Sequence, residues 1–145
     1  MVREKIRVLF VCVSNSFRSQ IADAILNHKY GEAFVAESAG FRKKSINPLA
    51  IEVMKEYGLD ISNKSVDELL DFYNQGRKYD YVITVCNRGE EEDCPIFPGK
   101  VTRLSWREFK DPDDFTGTEE EKLEMARKLR DDIAKRIDEF VLNKI

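Results

Sequence analysis

The chain has 145 residues, a mass of 16.9 kDa and a hydrophobic content of 42%, which fits one globular domain over residues 1–145. Its 24 basic and 27 acidic side chains give a formal net charge of −3, which argues against a broad basic face for nucleic acid. The longest unbroken apolar run, residues 8–13, is far shorter than the roughly 20 residues that cross a bilayer, so no membrane span is expected.

The first half of the chain alternates strand and helix patterns. Residues 6–11 are almost continuously apolar and rich in β-branched side chains, which is typical of a strand buried on both faces of a parallel sheet. Apolar side chains at helical spacing predict a helix over residues 19–30, followed by Gly31. A second strand is predicted over residues 33–37.

Capping signals predict the helices that follow. Asn47-Pro48 places an N-cap before a proline at the first helical position, so a helix begins there and ends near Gly58. Residues 65–68, Ser-Val-Asp-Glu, match a capping box that opens another helix. Strands are predicted over residues 81–85 and 101–104, and a second capping box at residues 118–121 opens a long terminal helix.

Strands that alternate with helices predict an α/β fold, a three-layer α/β/α sandwich with a four-stranded parallel sheet. In such sheets ligands bind beyond the carboxyl ends of the strands. Cys12 and Cys86 both follow predicted strands and so stand at such ends. Free cysteines are often simply buried, but this placement weakens that interpretation for these two.

Cys12 and Arg18 have five residues between them, and this segment connects the first strand to the first helix. The backbone N–H groups of such a loop can surround a tetrahedral oxyanion at the positive end of the helix. Arg18 can close the ring with its planar guanidinium. The same field favours the nucleophilic thiolate of Cys12, to which Ser19 can donate. The predicted oxyanion-binding residues are Val13, Ser14, Asn15, Ser16, Phe17, Arg18 and Ser19.

The loop from Val11 to Gln20 resembles the loop shared by low-molecular-weight protein tyrosine phosphatases and the arsenate reductases built on their fold. Phe17 departs from the pattern, since the residue before the arginine is commonly cysteine in both groups. The resemblance implies that Asp111 acts as a general acid on the leaving oxygen. It covers most of the chain, because further matches lie at residues 37–40, 47–51, 60–62 and 111–112.

Cys86 and Cys94 favour the reductase branch of this resemblance. Thioredoxin-coupled arsenate reductases carry a cysteine pair in the sequence context that residues 82–86 and 94–96 match. The resemblance implies a relay in which Cys12 attacks arsenate, Cys86 attacks Cys12 and Cys94 then attacks Cys86. Thioredoxin or a similar dithiol protein would reduce the resulting disulfide and so supply the reducing equivalents.

Two other interpretations stay open. A protein tyrosine phosphatase would use Cys12, Arg18 and Asp111 through a phosphocysteine intermediate. Against it, the acidic Asp113 and Asp114 stand where aromatic residues of a substrate slot usually follow Asp-Pro. The third interpretation is an oxyanion-binding module without catalysis.

We expect the protein to be a monomer. We also expect it in the cytoplasm, because three thiols in a chain of this size indicate a reducing compartment. The single histidine and the cysteine spacing do not match a zinc site. Some reductases of the family bind potassium near the loop, and Asp23 here replaces a longer glutamate of that site. The matching positions are Asn15, Asp23, Ser38 and Asp67.

Overall fold

A computed structural model describes residues 4–42, 44–85 and 97–144 of the chain. Strands and helices alternate along these residues, as the sequence predicts. Their bounds are β1 (Ile6–Cys12), α1 (Arg18–Tyr30), β2 (Phe34–Gly40), α2 (Pro48–Glu56), α3 (Leu69–Asn74), β3 (Tyr81–Thr84), β4 (Thr102–Ser105) and α4 (Glu119–Leu142).

The four strands form one parallel sheet in the order β2-β1-β3-β4. Alternate side chains of β1 enter different cores, as the two-residue period of a strand requires. Phe10 and Cys12 face a core shared with α1, α2 and α4, whereas Leu9 and Val11 face a smaller core with α3. Helices therefore cover both faces, and the prediction of a three-layer α/β/α fold is confirmed.

Two of the three capping predictions are confirmed. The Asn47 side chain accepts a hydrogen bond from the backbone N–H of Leu49 at the start of α2, at 2.9 Å. Thr118 and Glu121 form the reciprocal capping box of α4. Helix α4 carries a buried stripe from Ala126 to Val141. None of the helices in the described ranges is long and apolar enough to span a membrane.

The predicted capping box at residues 65–68 is wrong, because α3 begins only at Leu69. Tertiary hydrogen bonds hold the preceding segment extended. The backbone N–H of Gly40 donates to the carbonyl of Asp67, and the backbone N–H of Asp67 donates to Asn15 Oδ1, each at 2.9 Å. The Ser65 hydroxyl donates to the Asp67 carboxylate instead of capping a helix. This segment therefore supports β2 and the loop after β1.

The carboxyl ends of β1, β2 and β4 lie at one edge of the sheet. β2 continues to Gly40, past its predicted end at residue 37, and Gly40 pairs with Cys12. The loops after these strands therefore meet around Cys12. This is the edge at which parallel sheets bind their ligands.

Candidate functional site

The loop of residues 12–18 connects β1 to α1 and is largely buried. Four of its carbonyl oxygens accept hydrogen bonds from the surrounding protein. Because the C=O and N–H of a trans peptide point in opposite directions, the N–H groups of those peptides face the inside of the loop. The four bonds are Phe41 N–Cys12 O (3.3 Å), Arg42 N–Val13 O (3.1 Å), Gln20 Nε2–Asn15 O (3.1 Å) and Asn47 N–Ser16 O (2.9 Å).

The Cys12 sulfur lies inside this loop with two hydrogen-bond partners. The backbone N–H of Asn15 donates to it at 3.2 Å, and Ser19 Oγ lies 2.9 Å away. Ser19 Oγ itself accepts a hydrogen bond from Asn15 Nδ2 at 2.7 Å, so its own proton is available to the sulfur. The sulfur is therefore held in place as a hydrogen-bond acceptor inside the loop.

Asn15 holds the loop in its curved shape. Its φ of 53° lies in the left-handed region, which asparagine tolerates better than most residues. Its side-chain oxygen accepts hydrogen bonds from the backbone N–H of Asp67 at 2.9 Å and from Gln20 Nε2 at 3.1 Å. These two donors fix the amide so that its NH₂ group points to Ser19. A chain of hydrogen bonds thus runs from Asp67 to the Cys12 sulfur.

Arg18 is the first residue of α1, and its side chain is 3% exposed. One of its guanidinium nitrogens donates to the carbonyl of Phe109 at 3.2 Å. Another lies 3.6 Å from Asp111 Oδ2. The structure therefore brings two of the predicted site residues, Arg18 and Asp111, into contact from distant parts of the sequence.

Asp111 begins a turn of 3-10 helix, Pro112–Asp114, at the rim of the loop. Its Oδ1 accepts a hydrogen bond from the backbone N–H of Asp113 at 2.9 Å, and its Oδ2 faces Arg18. The side chain keeps only a little exposure. A carboxyl in this position can transfer a proton to an oxygen that leaves a bound oxyanion.

Cys86 and Cys94 lie outside the described residues. The described chain stops at Val85 and resumes at Phe97, both of which are buried. The backbone N–H of Val85 donates to the carbonyl of Val11 at 2.8 Å. Val85, which precedes Cys86 in sequence, is thus hydrogen bonded to Val11, which precedes Cys12.

Three of the four positions that match a potassium site, Asp23, Ser38 and Asp67, line one polar cleft behind the loop. Lys64 also lines it, and its ammonium lies 2.9 Å from Asp23 Oδ2, to which the Ser38 hydroxyl also donates. Burial raises the pKa of the Asp23 carboxyl, and Lys64 opposes that rise. As they stand these residues do not fit an added cation, because the Lys64 ammonium already lies against Asp23 and would repel it.

Replacing Lys64 by methionine is expected to lower the free energy of unfolding near pH 7 by about 2 kcal/mol. The buried Asp23 carboxylate would lose its cation, and the Lys64 end of this pair is only partly exposed. Without the ammonium the pKa of Asp23 in the folded chain rises further, so the charged form opposes folding at neutral pH. The deficit should therefore shrink as pH falls toward the ordinary carboxyl range.

Urea unfolding near pH 7 and near pH 5 measures this effect. Lys44→Met is the matched control, because the Lys44–Asp113 ion pair is more than half exposed on both sides and should contribute less than about 0.5 kcal/mol. Wild-type stability should be the same in potassium and in sodium. A Lys64→Met deficit that does not change with pH, or a wild type stabilised by potassium alone, would contradict this account.

Sequence reasoning assigned no role to Gln20, Lys64 or the carbonyl of Phe109. Gln20 is fully buried on α1 and donates to both the Asn15 and Ser65 carbonyls. Its place beside the apolar Ile21 in the sequence was the one signal of a buried polar role. Lys64 contacts Asp23, which is 41 residues away in sequence. The Phe109 carbonyl contacts Arg18, which is 91 residues away. No local pattern predicts contacts of that kind.

The family model for low molecular weight phosphotyrosine protein phosphatase matches residues 7–141. An arsenate reductase of Bacillus subtilis (strain 168) is 38% identical over 134 residues, which is 92% of this chain and 93% of the relative. The described fold is similar to a solved arsenate reductase in the phosphate binding state, with a TM-score of 0.76, 27% identity and coverage of 95% of this chain and 98% of that one.

A thioredoxin-dependent arsenate reductase of Corynebacterium glutamicum is also similar. Its solved structure gives a TM-score of 0.73 and 32% identity. The match covers 99% of this chain and 63% of that one. The similarity therefore extends over nearly the whole of this chain and over part of a longer one.

Proposed function

The chain belongs to the low molecular weight phosphotyrosine protein phosphatase family, and from that premise we propose that it reduces arsenate to arsenite with electrons from thioredoxin or a similar dithiol protein. The similarity to arsenate reductases over most of both chains supports this branch of the family. The observation that carries the proposal is the Cys12 sulfur, held inside the loop by Asn15 and Ser19.

The first step forms a bond between sulfur and arsenic. The loop amides and Arg18 hold arsenate, and the Cys12 thiolate attacks its arsenic atom. A hydroxide leaves the arsenic and takes a proton from Asp111, so the products are water and an arsenic–sulfur adduct on Cys12. No change of oxidation state occurs in this step.

The second step transfers two electrons. The Cys86 thiolate attacks the Cys12 sulfur, the sulfur–arsenic bond breaks and the arsenic keeps the bonding pair, which gives arsenite and a Cys12–Cys86 disulfide. Cys94 then attacks Cys86 and releases Cys12. A dithiol protein reduces the Cys86–Cys94 disulfide and becomes oxidised itself.

The described strands support this role for Cys86. Val85 is the last described residue before Cys86 in the sequence. Val85 is hydrogen bonded to Val11, which precedes the nucleophile. The described ends of β1 and β3 therefore lie side by side at one edge of the sheet, and this supports assigning the attacking thiol to the cysteine that follows Val85 in sequence.

Charged side chains near Asp111 favour an inorganic oxyanion over an aryl phosphate as the substrate. Asp113 follows Asp111 by two residues, and its carboxylate lies 3.1 Å from the Lys44 ammonium of the loop after β2. This exposed ion pair connects the loop after β2 to the turn that begins with Asp111. A phosphorylated side chain would meet charged groups there in place of an apolar slot.

Single-cysteine variants test the relay by counting products. With Cys94→Ser, reduced protein is expected to release one arsenite per chain and then stop as a Cys12–Cys86 disulfide. With Cys86→Ser, no arsenite should form, because nothing attacks the adduct. The measurement is arsenite released per chain, without thioredoxin, from stoichiometric to excess arsenate.

Hydrolysis of 4-nitrophenyl phosphate by the same variants is the control. This reaction needs Cys12, Arg18 and Asp111 alone, so any basal rate should be equal in wild type, Cys86→Ser and Cys94→Ser. Continuous arsenite production by Cys94→Ser with thioredoxin would show that the relay is wrong. A wild type that hydrolyses the ester but reduces no arsenate would establish the phosphatase interpretation instead.

A further inference from the structure

Asp111 lies on a short stretch of chain that is anchored at both ends by a buried phenylalanine. Phe109 is 2% exposed and Phe115 is 8% exposed, and both belong to the main core. The Phe109 ring packs edge-on against Trp106, with ring centroids 6.4 Å apart. The position of the intervening turn therefore depends on where these two rings are held.

Hydrogen bonds make the turn one unit. The backbone N–H of Asp114 donates to the carbonyl of Asp111 at 2.9 Å, and that of Phe115 donates to the carbonyl of Pro112 at 3.1 Å. The backbone N–H of Asp113 also fixes the carboxyl of Asp111. A displacement of Phe115 is therefore transmitted to the Asp111 carboxyl.

The ring of Phe17 packs against the ring of Phe115. The two rings are perpendicular, at 85°, with centroids 6.5 Å apart, which is a favourable edge-to-face arrangement. Phe17 is 2% exposed and immediately precedes Arg18. The aromatic pair and the Arg18–Asp111 ion pair thus connect the same two loops side by side.

The Lys44–Asp113 ion pair also connects the turn to its surroundings. The Lys44–Asp113 ion pair is 57% and 59% exposed, and pairs of that kind contribute little. The buried ring contact is therefore a firmer attachment of the turn than this ion pair.

We propose that Phe17 is a positioning residue: through Phe115, its ring holds the Asp111 carboxyl where it can give its proton to the oxygen leaving the oxyanion. This rests on the proposed function, in which that proton converts the departing hydroxide to water. The carboxyl begins the step protonated, ends it as a carboxylate and recovers its proton from solvent. A general acid contributes about 10²- to 10⁴-fold only within hydrogen-bond reach, so a small displacement is costly.

The test is a double-mutant cycle between the ring pair and the acid. Phe17→Leu and Phe115→Leu are each made in wild type and in Asp111→Asn, with Phe115→Tyr as the variant that keeps the ring. Single-turnover arsenite formation and the Kd of inorganic phosphate are measured, with thermal melting to establish folding. Phe115→Met, whose flexible side chain fills irregular space, replaces Phe115→Leu if that variant does not fold.

We expect each leucine variant to slow the step about 10- to 100-fold in wild type and to add nothing in Asp111→Asn. The Kd of phosphate should change by less than about twofold. Phe115→Tyr, which keeps the ring, should form arsenite at the wild-type rate. Equal slowing in both backgrounds, or a loss of phosphate affinity that parallels the loss of rate, would overturn the proposal, because either marks a merely structural role.

The cycle also separates this proposal from the proposed function. If wild type reduces no arsenate but hydrolyses aryl phosphates, the same variants are compared on phenyl phosphate and 4-nitrophenyl phosphate. The leucine variants should then slow the ester with the poorer leaving group, phenyl phosphate, more strongly. Equal slowing of the two esters, or a wild type without either activity, would overturn the positioning role.

Discussion

Cys12→Ser is expected to abolish arsenate reduction while the protein stays folded and still binds oxyanions. A serine hydroxyl at this position is almost never ionised near neutral pH and cannot form the disulfide, so the rate should fall by more than about 10⁴-fold. The serine oxygen can keep the hydrogen bonds to Asn15 and Ser19 that the sulfur makes. Stability should therefore change by less than about 1 kcal/mol.

Thioredoxin-dependent NADPH consumption measures the loss, and the phosphate-induced shift in melting temperature measures the retained site. Leu142→Ser, an exposed position at the end of α4, serves as a control and should keep full activity. Arsenate reduction by Cys12→Ser above one-hundredth of the wild-type rate would exclude Cys12 as the nucleophile. Inactive wild type with intact phosphate binding would favour the module without catalysis.

Gly40→Ala should have the second largest effect, because Gly40 lies directly against the anion loop. A Cβ there would lie 2.5 Å from the backbone nitrogen of Asn15 and 2.7 Å from the carbonyl carbon of Ser14. Both are backbone atoms, so the loop itself must move. We expect kcat/KM for arsenate to fall by about 10²-fold or more and phosphate affinity to fall with it.

Gly31→Ala is the matched control for this prediction. Its Cβ would lie 2.4 Å from the carbonyl oxygen of Asn27, at the end of α1 remote from the loop. Both variants should lose stability by a few kcal/mol, on the order expected for overpacking, as denaturant unfolding would show. Only Gly40→Ala should lose phosphate affinity, as measured by calorimetry. Retention of that affinity would show that the loop tolerates the displacement.

Local patterns were sufficient for the fold, because each strand and most helix ends have their own sequence signal. The apolar run of β1, the Asn47-Pro48 start of α2 and the Thr118 capping box of α4 are local and appear where predicted. Residues 65–68 carry an equally good local signal and are extended. Their hydrogen bonds to Gly40 and Asn15 replace those of a helical first turn, and sequence alone does not reveal them.

The candidate site was predictable where its groups are contiguous in sequence. Cys12, Asn15, Arg18 and Ser19 form one loop, and their contacts follow from a strand that enters a helix. The parts that came from elsewhere were not predictable from spacing. The Phe109 carbonyl reaches Arg18 across 91 residues, and Lys64 reaches Asp23 across 41.

Mapping the oxidised cysteines after arsenate turnover tests the central claim most directly. Fully reduced wild type is exposed to arsenate without thioredoxin, its remaining thiols are alkylated and its peptides are analysed by mass spectrometry. The relay predicts one arsenite per chain, a Cys86–Cys94 disulfide and an alkylated Cys12. Alkylation of all three cysteines, with no arsenite released, would contradict it.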